Sequence, residues 1–221
     1  MSFLTRGCTK KSCVIIYAES FMQQLELTSK RKSRRGGWRK GAGRKPAGPE
    51  AGASHGPRRR IERLLPVHVS ARMAPHVYNL RSRRAFSIIG PAIAAAANRF
   101  GVRILEFSVQ GNHIHLVVEA AAHEALARAM QGFLIRVAKG LNRMMNRSGR
   151  VLDDRYFAHV LETPTEARWA VVYVRRNYHK HMAELGKPVP SSYVDPFAST
   201  GADIELAMPR TWSLRRAVAP P

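Results

Sequence analysis

Hydrophobic and polar residues alternate near the start of the chain's patterned part. Val67, Val69 and Ala71 interleave with His68, Ser70 and Arg72, which predicts a half-buried strand over 64–73. Residues 83–100 then carry the helix-forming run Ile93-Ala94-Ala95-Ala96-Ala97 and end on Phe100-Gly101, a C-cap pattern, with Pro91 marking a first turn or a kink. A strand over 102–110, the tight turn Gly111-Asn112 and a strand over 113–119 make a hairpin signal. The longest helical period lies in 122–147, where Leu126, Met130, Phe133, Leu134, Val137, Leu141 and Met144/Met145 recur at steps of three and four. Residues 151–161 read as another strand. Thr163-Pro164-Thr165-Glu166 then opens a helix running to about Met182, with Thr163 as N-cap and Glu166 completing a capping box. The order β-α-β-β-α-β-α predicts an α+β, ferredoxin-like layer with an antiparallel sheet. Residues 187–221 hold six prolines and no period, so a tail that packs irregularly or frays is expected there.

Charge divides the chain differently. The 221 residues carry 37 Lys+Arg against 15 Asp+Glu, a net +22. Residues 1–63 hold 16 of those cations and 4 of the anions. Lys30 to Pro46 is basic, Gly-rich and poor in apolar residues, so it cannot bury enough surface to offset its ordering entropy. Three parts follow: a basic, largely disordered arm over 1–60, a compact domain over 61–185 and an irregular tail over 186–221. Within the arm, Arg34, Arg35, Arg39, Lys40, Arg44 and Lys45 are candidate phosphate contacts. Gly43-Arg44-Lys45-Pro46 resembles the core of a minor-groove AT-hook, with Lys45 intervening between the Arg and the Pro. A solvated basic tail of non-specific affinity is the alternative reading.

A surplus this large calls for a polyanionic partner, nucleic acid or an anionic membrane surface, and argues against cationic substrates. Cys8 and Cys13 are the only cysteines, too few for a disulfide framework or a usual zinc site. No apolar run reaches membrane-spanning length. A cytoplasmic, nucleoid-associated protein without membrane contact is the expectation.

Two residue pairs can carry chemistry. His113 and His115 lie two apart on a predicted strand and project from one face, with Ile114 turned to the core. Two imidazoles so placed can hold a divalent cation. They are equally two half-exposed histidines on a sheet. Tyr173 and Asn177 share a helix face. Beside a cation, Tyr173 is a candidate nucleophile and the Asn177 amide oxygen a hard donor for Mg2+ or Mn2+. A ring packed in the core near Trp169 or Val172 is the alternative for Tyr173.

The two pairs together resemble the single-tyrosine HUH transposases, and within them the REP-associated tyrosine transposases with their IS200-like domain. The likeness runs over residues 64–183. It is carried by Pro66 to Ser70, Phe107 to Glu119 with its His-Ile-His, Asp154 to Leu161, and Tyr173-Val174-Arg175-Arg176-Asn177. The resemblance implies His113, His115 and Asn177 as ligands of Mg2+ or Mn2+ and Tyr173 as nucleophile. Many relatives carry Gln where Asn177 stands and Asn-Pro where this chain has Asn177-Tyr178, which makes Tyr178 a decoy one position off the motif. It further implies an endonuclease and strand-transferase on single-stranded or hairpin DNA. The intermediate would be a 5′-phosphotyrosine, in DNA transposition, recombination or repeat processing. Arg136, Lys139, Arg143, Arg175 and Arg176 are candidate phosphate contacts on the helices, each also readable as a solvated charge. Dimerisation stays open, with a homodimer among the relatives' arrangements. A non-catalytic DNA- or RNA-binding protein on a degenerate fold is the other reading.

Overall fold

The computed structural model describes residues 60–218. Residues 1–59, with nearly all of the expected basic arm, lie outside the described residues. Among the described residues, five strands form one antiparallel sheet: β1 (Leu65–Arg72), β2 (Asn98–Arg99), β3 (Val102–Val109), β4 (His113–Ala120) and β5 (Phe157–Val160). Four helices accompany them there: α1 (Arg83–Ala96), α2 (His123–Met144), α3 (Pro164–Glu184) and α4 (Trp212–Val218). The spatial order β2-β3-β4-β1-β5 is the ferredoxin-like arrangement that the element order predicts, with β2 added at one edge.

The two faces of the sheet differ in chemistry. On one, Val67, Val69, Ala71, Ile114, Leu116 and Val118 join Ile89, Ile93, Phe133 and Val137 in a single buried core, so α1 and α2 cover that face. Period-2 alternation therefore turns His68, Ser70, His113 and His115 to the other face, under α3. Strand β3 needs one correction of phase to do the same. A register shift between Ile104 and Glu106 leaves Leu105 extra. This bulge keeps both Ile104 and Phe107 in the core and delivers Glu106 to the α3 face.

Local signals set most boundaries. The Thr163 hydroxyl accepts from Glu166 N at 3.1 Å, and the Glu166 carboxylate accepts from Thr163 N at 3.3 Å and Glu162 N at 2.7 Å, the predicted capping box. Helix α1 starts at the Ser82 cap and continues through Pro91. It stops at Ala96, short of Phe100-Gly101. Those two residues instead have φ of 55° and 76° and turn β2 into β3. Paired positive φ suits a tight hairpin, and a glycine after a helical run signals either outcome. The strand expected over 151–161 is shorter. The ladder with β1 covers Phe157–Val160, while Leu152 makes an isolated bridge to Met73 and the Asp154 carboxylate, accepting from Arg155 N at 2.7 Å, lies in the break between them.

The segment after α3 lines the open edge of β3. Ala198 bridges Ser108, Phe197 O accepts from Val109 N at 2.9 Å, and Ile104 O accepts from Ala207 N at 3.0 Å. Such a covering satisfies an edge that would otherwise template pairing. It ends in α4, a helix that hydropathy alone does not announce. The buried Glu119 carboxylate accepts from Arg210 N, Thr211 N and Thr211 Oγ1 at 2.6–3.0 Å, which neutralises the otherwise orphaned N–H groups at that helix start.

Candidate active site

Helix α3 lays Tyr173, Asn177 and His181 along one stripe, since each is four residues from the next. The stripe faces β4 and runs antiparallel to it. At one end the Tyr173 hydroxyl stands 3.5 Å from His115 Nε2, with the rings edge-on at 5.2 Å. At the other end the His181 ring lies 5.7 Å from that of His113. Asn177 falls between, one turn from each. The amide of Asn177 is fully buried and neither its oxygen nor its nitrogen has a hydrogen-bond partner. An unpaired buried amide is costly, and an oxygen donor on the stripe between Tyr173 and His181 is available to a ligand.

The histidines are held from behind. His113 Nδ1 meets Asn112 Oδ1 at 2.8 Å. That oxygen only accepts, so Nδ1 carries the proton and Nε2 keeps its lone pair. His115 Nδ1 meets His68 Nε2 at 3.1 Å, and the two rings stack at 5.2 Å. With His115 as donor in that pair, its Nε2, facing the Tyr173 hydroxyl, keeps its lone pair, the tautomer a metal ligand requires.

Burial keeps all three rings neutral. It holds His68 at about 4, helped by the charge of His159. It holds His113 at about 4, helped by His181 and Arg72. His115 is pushed well below the usual imidazole range by burial and then by His68, His113 and His181. Neutral imidazoles coordinate cations, so donor type, tautomer and protonation fit a divalent ion with His113, His115 and Asn177 as ligands. Asn is one methylene shorter than Gln, and the complete burial of Asn177 shows how closely α3 lies on the sheet here.

With this geometry, residues 81–177 match the family described as Transposase IS200 like. Residues 81–177 resemble an IS200-like transposase domain. The match begins at Arg81 and ends at Asn177, so it spans both residue pairs. Among solved structures, the chain is similar to a REP-associated tyrosine transposase bound to a REP hairpin, at 15% identity over 58% of this chain and 74% of that one, TM-score 0.47. It is also similar to a Deinococcus radiodurans R1 protein described as a candidate transposase, at 12% identity over 57% and 93%, TM-score 0.38. No curated protein sequence matches the chain.

Not every expected contact gathers at the site. Arg136, Lys139 and Arg143 are carried on α2, which covers the opposite face of the sheet. Arg175 is engaged within the molecule: its Nε and an Nη donate to Glu106 at 3.0 and 2.6 Å. Arg175 thus forms an ion pair with Glu106, whose carboxylate also accepts from the Ser199 hydroxyl. Arg176 is exposed on α3. Arg34, Arg35, Arg39, Lys40, Arg44 and Lys45 lie outside the described residues. Tyr178 points away from the stripe, its ring 3.7 Å under the Arg81 guanidinium and 5.5 Å from Tyr193. Arg81 is itself gripped by Asp195 at 2.8 and 2.9 Å.

Four residues of the site escape a reading by motif. His68 and Arg72 come from β1, paired with β4 so that Arg72 stands opposite His113. Strand alternation already puts both on the polar face, but only the register names their partners. Asn112 reads as a turn residue and is also the His113 brace. His181 continues the Tyr173/Asn177 spacing by four more residues, a signal present in the sequence.

Proposed function

We propose that this domain cuts and rejoins single-stranded DNA through a covalent link to Tyr173. The observation that carries the reading is the stripe itself: a tyrosine hydroxyl 3.5 Å from one histidine of a His-Ile-His strand, and an unpartnered buried amide one turn further on. The family match over residues 81–177 supports the reaction class, and the +22 charge supports a polyanionic substrate.

The Tyr173 oxygen attacks the scissile phosphorus. A phosphotyrosine bond forms as the bond to the 3′ oxygen breaks, the phenol loses its proton and the departing oxygen takes one up. The DNA 5′ end stays on the protein and a 3′-hydroxyl is freed. A 3′-hydroxyl reverses the step on the same or another strand, and the retained ester makes a nucleotide cofactor unnecessary. A divalent cation on His113, His115 and Asn177 would neutralise charge developing on the phosphate. His68 and Asn112 hold the two imidazoles in register. Arg72, opposite His113, offers a charge for the neighbouring phosphate.

Tyr173→Phe tests the nucleophile. Incubated with single-stranded oligonucleotides carrying the repeats that flank its gene, the wild-type protein forms a covalent adduct resolved by denaturing electrophoresis. The variant binds the same DNA and forms none. Adducts persisting in the variant would falsify the assignment. Binding without adducts in both proteins supports a non-catalytic nucleic-acid-binding role on the same fold.

A further inference from the structure

His181 is the residue of the stripe that neither the family match nor the Tyr-x-x-x-Asn spacing includes. Its ring is the neighbour of His113 at 5.7 Å. Its Nδ1 is taken by Glu184 Oε2 at 3.1 Å. A carboxylate only accepts, so Nδ1 carries a proton, and in the neutral ring Nε2 is the donor atom. That Nε2 is buried and has no hydrogen-bond partner. A carboxylate behind Nδ1 and an unpaired Nε2 in front is the arrangement that orients a ligating imidazole. The cleft beside His113 is lined by Asn112, Gln110, Tyr178 and His181, so there is room for the ring to turn.

We propose that His181 is a third imidazole ligand of the cation site, which then takes an imidazole-seeking ion such as Co2+ in preference to Mg2+. The inference rests on the metal reading above and deepens it. Among the described residues no three His, Cys, Asp or Glu side chains are grouped as a ready-made site. Rotation of the half-exposed His181 ring about its two side-chain bonds supplies the closure. Three imidazoles and one amide oxygen form a nitrogen-rich set. Mg2+ prefers oxygen donors, whereas imidazole favours the later transition ions.

The test measures binding of Co2+, Mn2+ and Mg2+ to the full chain by calorimetry, without DNA, in wild type, His181→Ala and the exposed control Lys187→Ala. His181→Ala should lose about tenfold or more in Co2+ affinity, with a smaller loss for Mg2+, so the Co2+/Mg2+ preference falls. Lys187→Ala should bind as wild type does. In the wild-type protein, added Mn2+ should broaden the ring resonances of His181 together with those of His113 and His115, and spare His123 beyond the far end of β4. Equal Co2+ affinity in His181→Ala, or an unbroadened His181 ring, overturns the proposal while leaving the His113/His115 site standing. A wild-type protein that binds none of the three ions overturns the metal reading as well.

Discussion

His68 occupies the position from which the site is most easily unbalanced. It is buried behind His115, stacks on that ring and meets its Nδ1 in a hydrogen bond. Burial lowers its proton affinity from the ordinary 6.5 to about 4. Between those values the unfolded chain binds a proton that the folded chain refuses. The stability gained by keeping the ring neutral is therefore whole above pH 6.5 and declines as pH falls towards 4. The slope is at most about 1.4 kcal/mol per pH unit for each such histidine. His113 adds to the same window. Urea midpoints of the wild-type protein should fall steeply from pH 6.5 to 4, and His68→Gln should flatten that fall. An unchanged profile would place the acid sensitivity elsewhere. The residue pattern revealed half of this unit. His113 and His115 were legible because alternation is local. His68 was visible as a polar strand position, but its contact with a ring 47 positions away depends on strand register.

Among elements, α2 and α3 show how spacing becomes contact. Gly140 on α2 faces α1: a Cβ there would stand 2.3 Å from Ile88 Cγ2. That methyl sits on a stiff β-branched carbon, so it cannot swing aside cheaply. Gly132, two turns earlier, has nothing within 4 Å of the same added atom. Gly132→Ala should stabilise the protein by about 1 kcal/mol through helix propensity. Gly140→Ala should destabilise it, because overpacking of about 1–3 kcal/mol outweighs that gain. Thermal denaturation of the two variants reads the opposite signs directly, and a shared sign would refute the close approach of the helices. The start of α3 was legible because cap, proline and glutamate all lie within four residues. The Phe100-Gly101 turn and the late start of β5 were not. Both depend on which neighbouring strand is available to pair.

Across the molecule, charge and chemistry sit in different places. The described domain keeps its catalytic candidates on the α3 face, whereas Arg136, Lys139 and Arg143 ride on the helix covering the other face. Arg175 is paired with Glu106. Much of the affinity for DNA is then expected from the basic segment before residue 61, which holds 15 Lys+Arg against 3 Asp+Glu. Removing residues 30–60 should weaken DNA binding. The slope of log affinity against log salt should shrink by about 0.7 for each phosphate of a single strand that the arm would have neutralised. Covalent adduct formation at saturating protein should persist. A slope identical to that of the full chain would mean that the arm touches no phosphate.

What the amino-acid sequence determined by itself is what short-range physics controls. It set the alternation that pairs His113 with His115, the turn of Gly111-Asn112, the cap at Thr163 and the helix face shared by Tyr173 and Asn177. The spatial strand order followed from the element order, because the ferredoxin-like layer is one of few ways to bury this pattern. Tertiary structure decided the rest. It set His68 behind His115, gave Glu106 to Arg175 through a one-residue bulge, laid the aperiodic tail along β3 and left the Asn177 amide buried without a protein partner. Each depends on an approach between segments distant in sequence, where register and packing choose the partner and local propensity has no say.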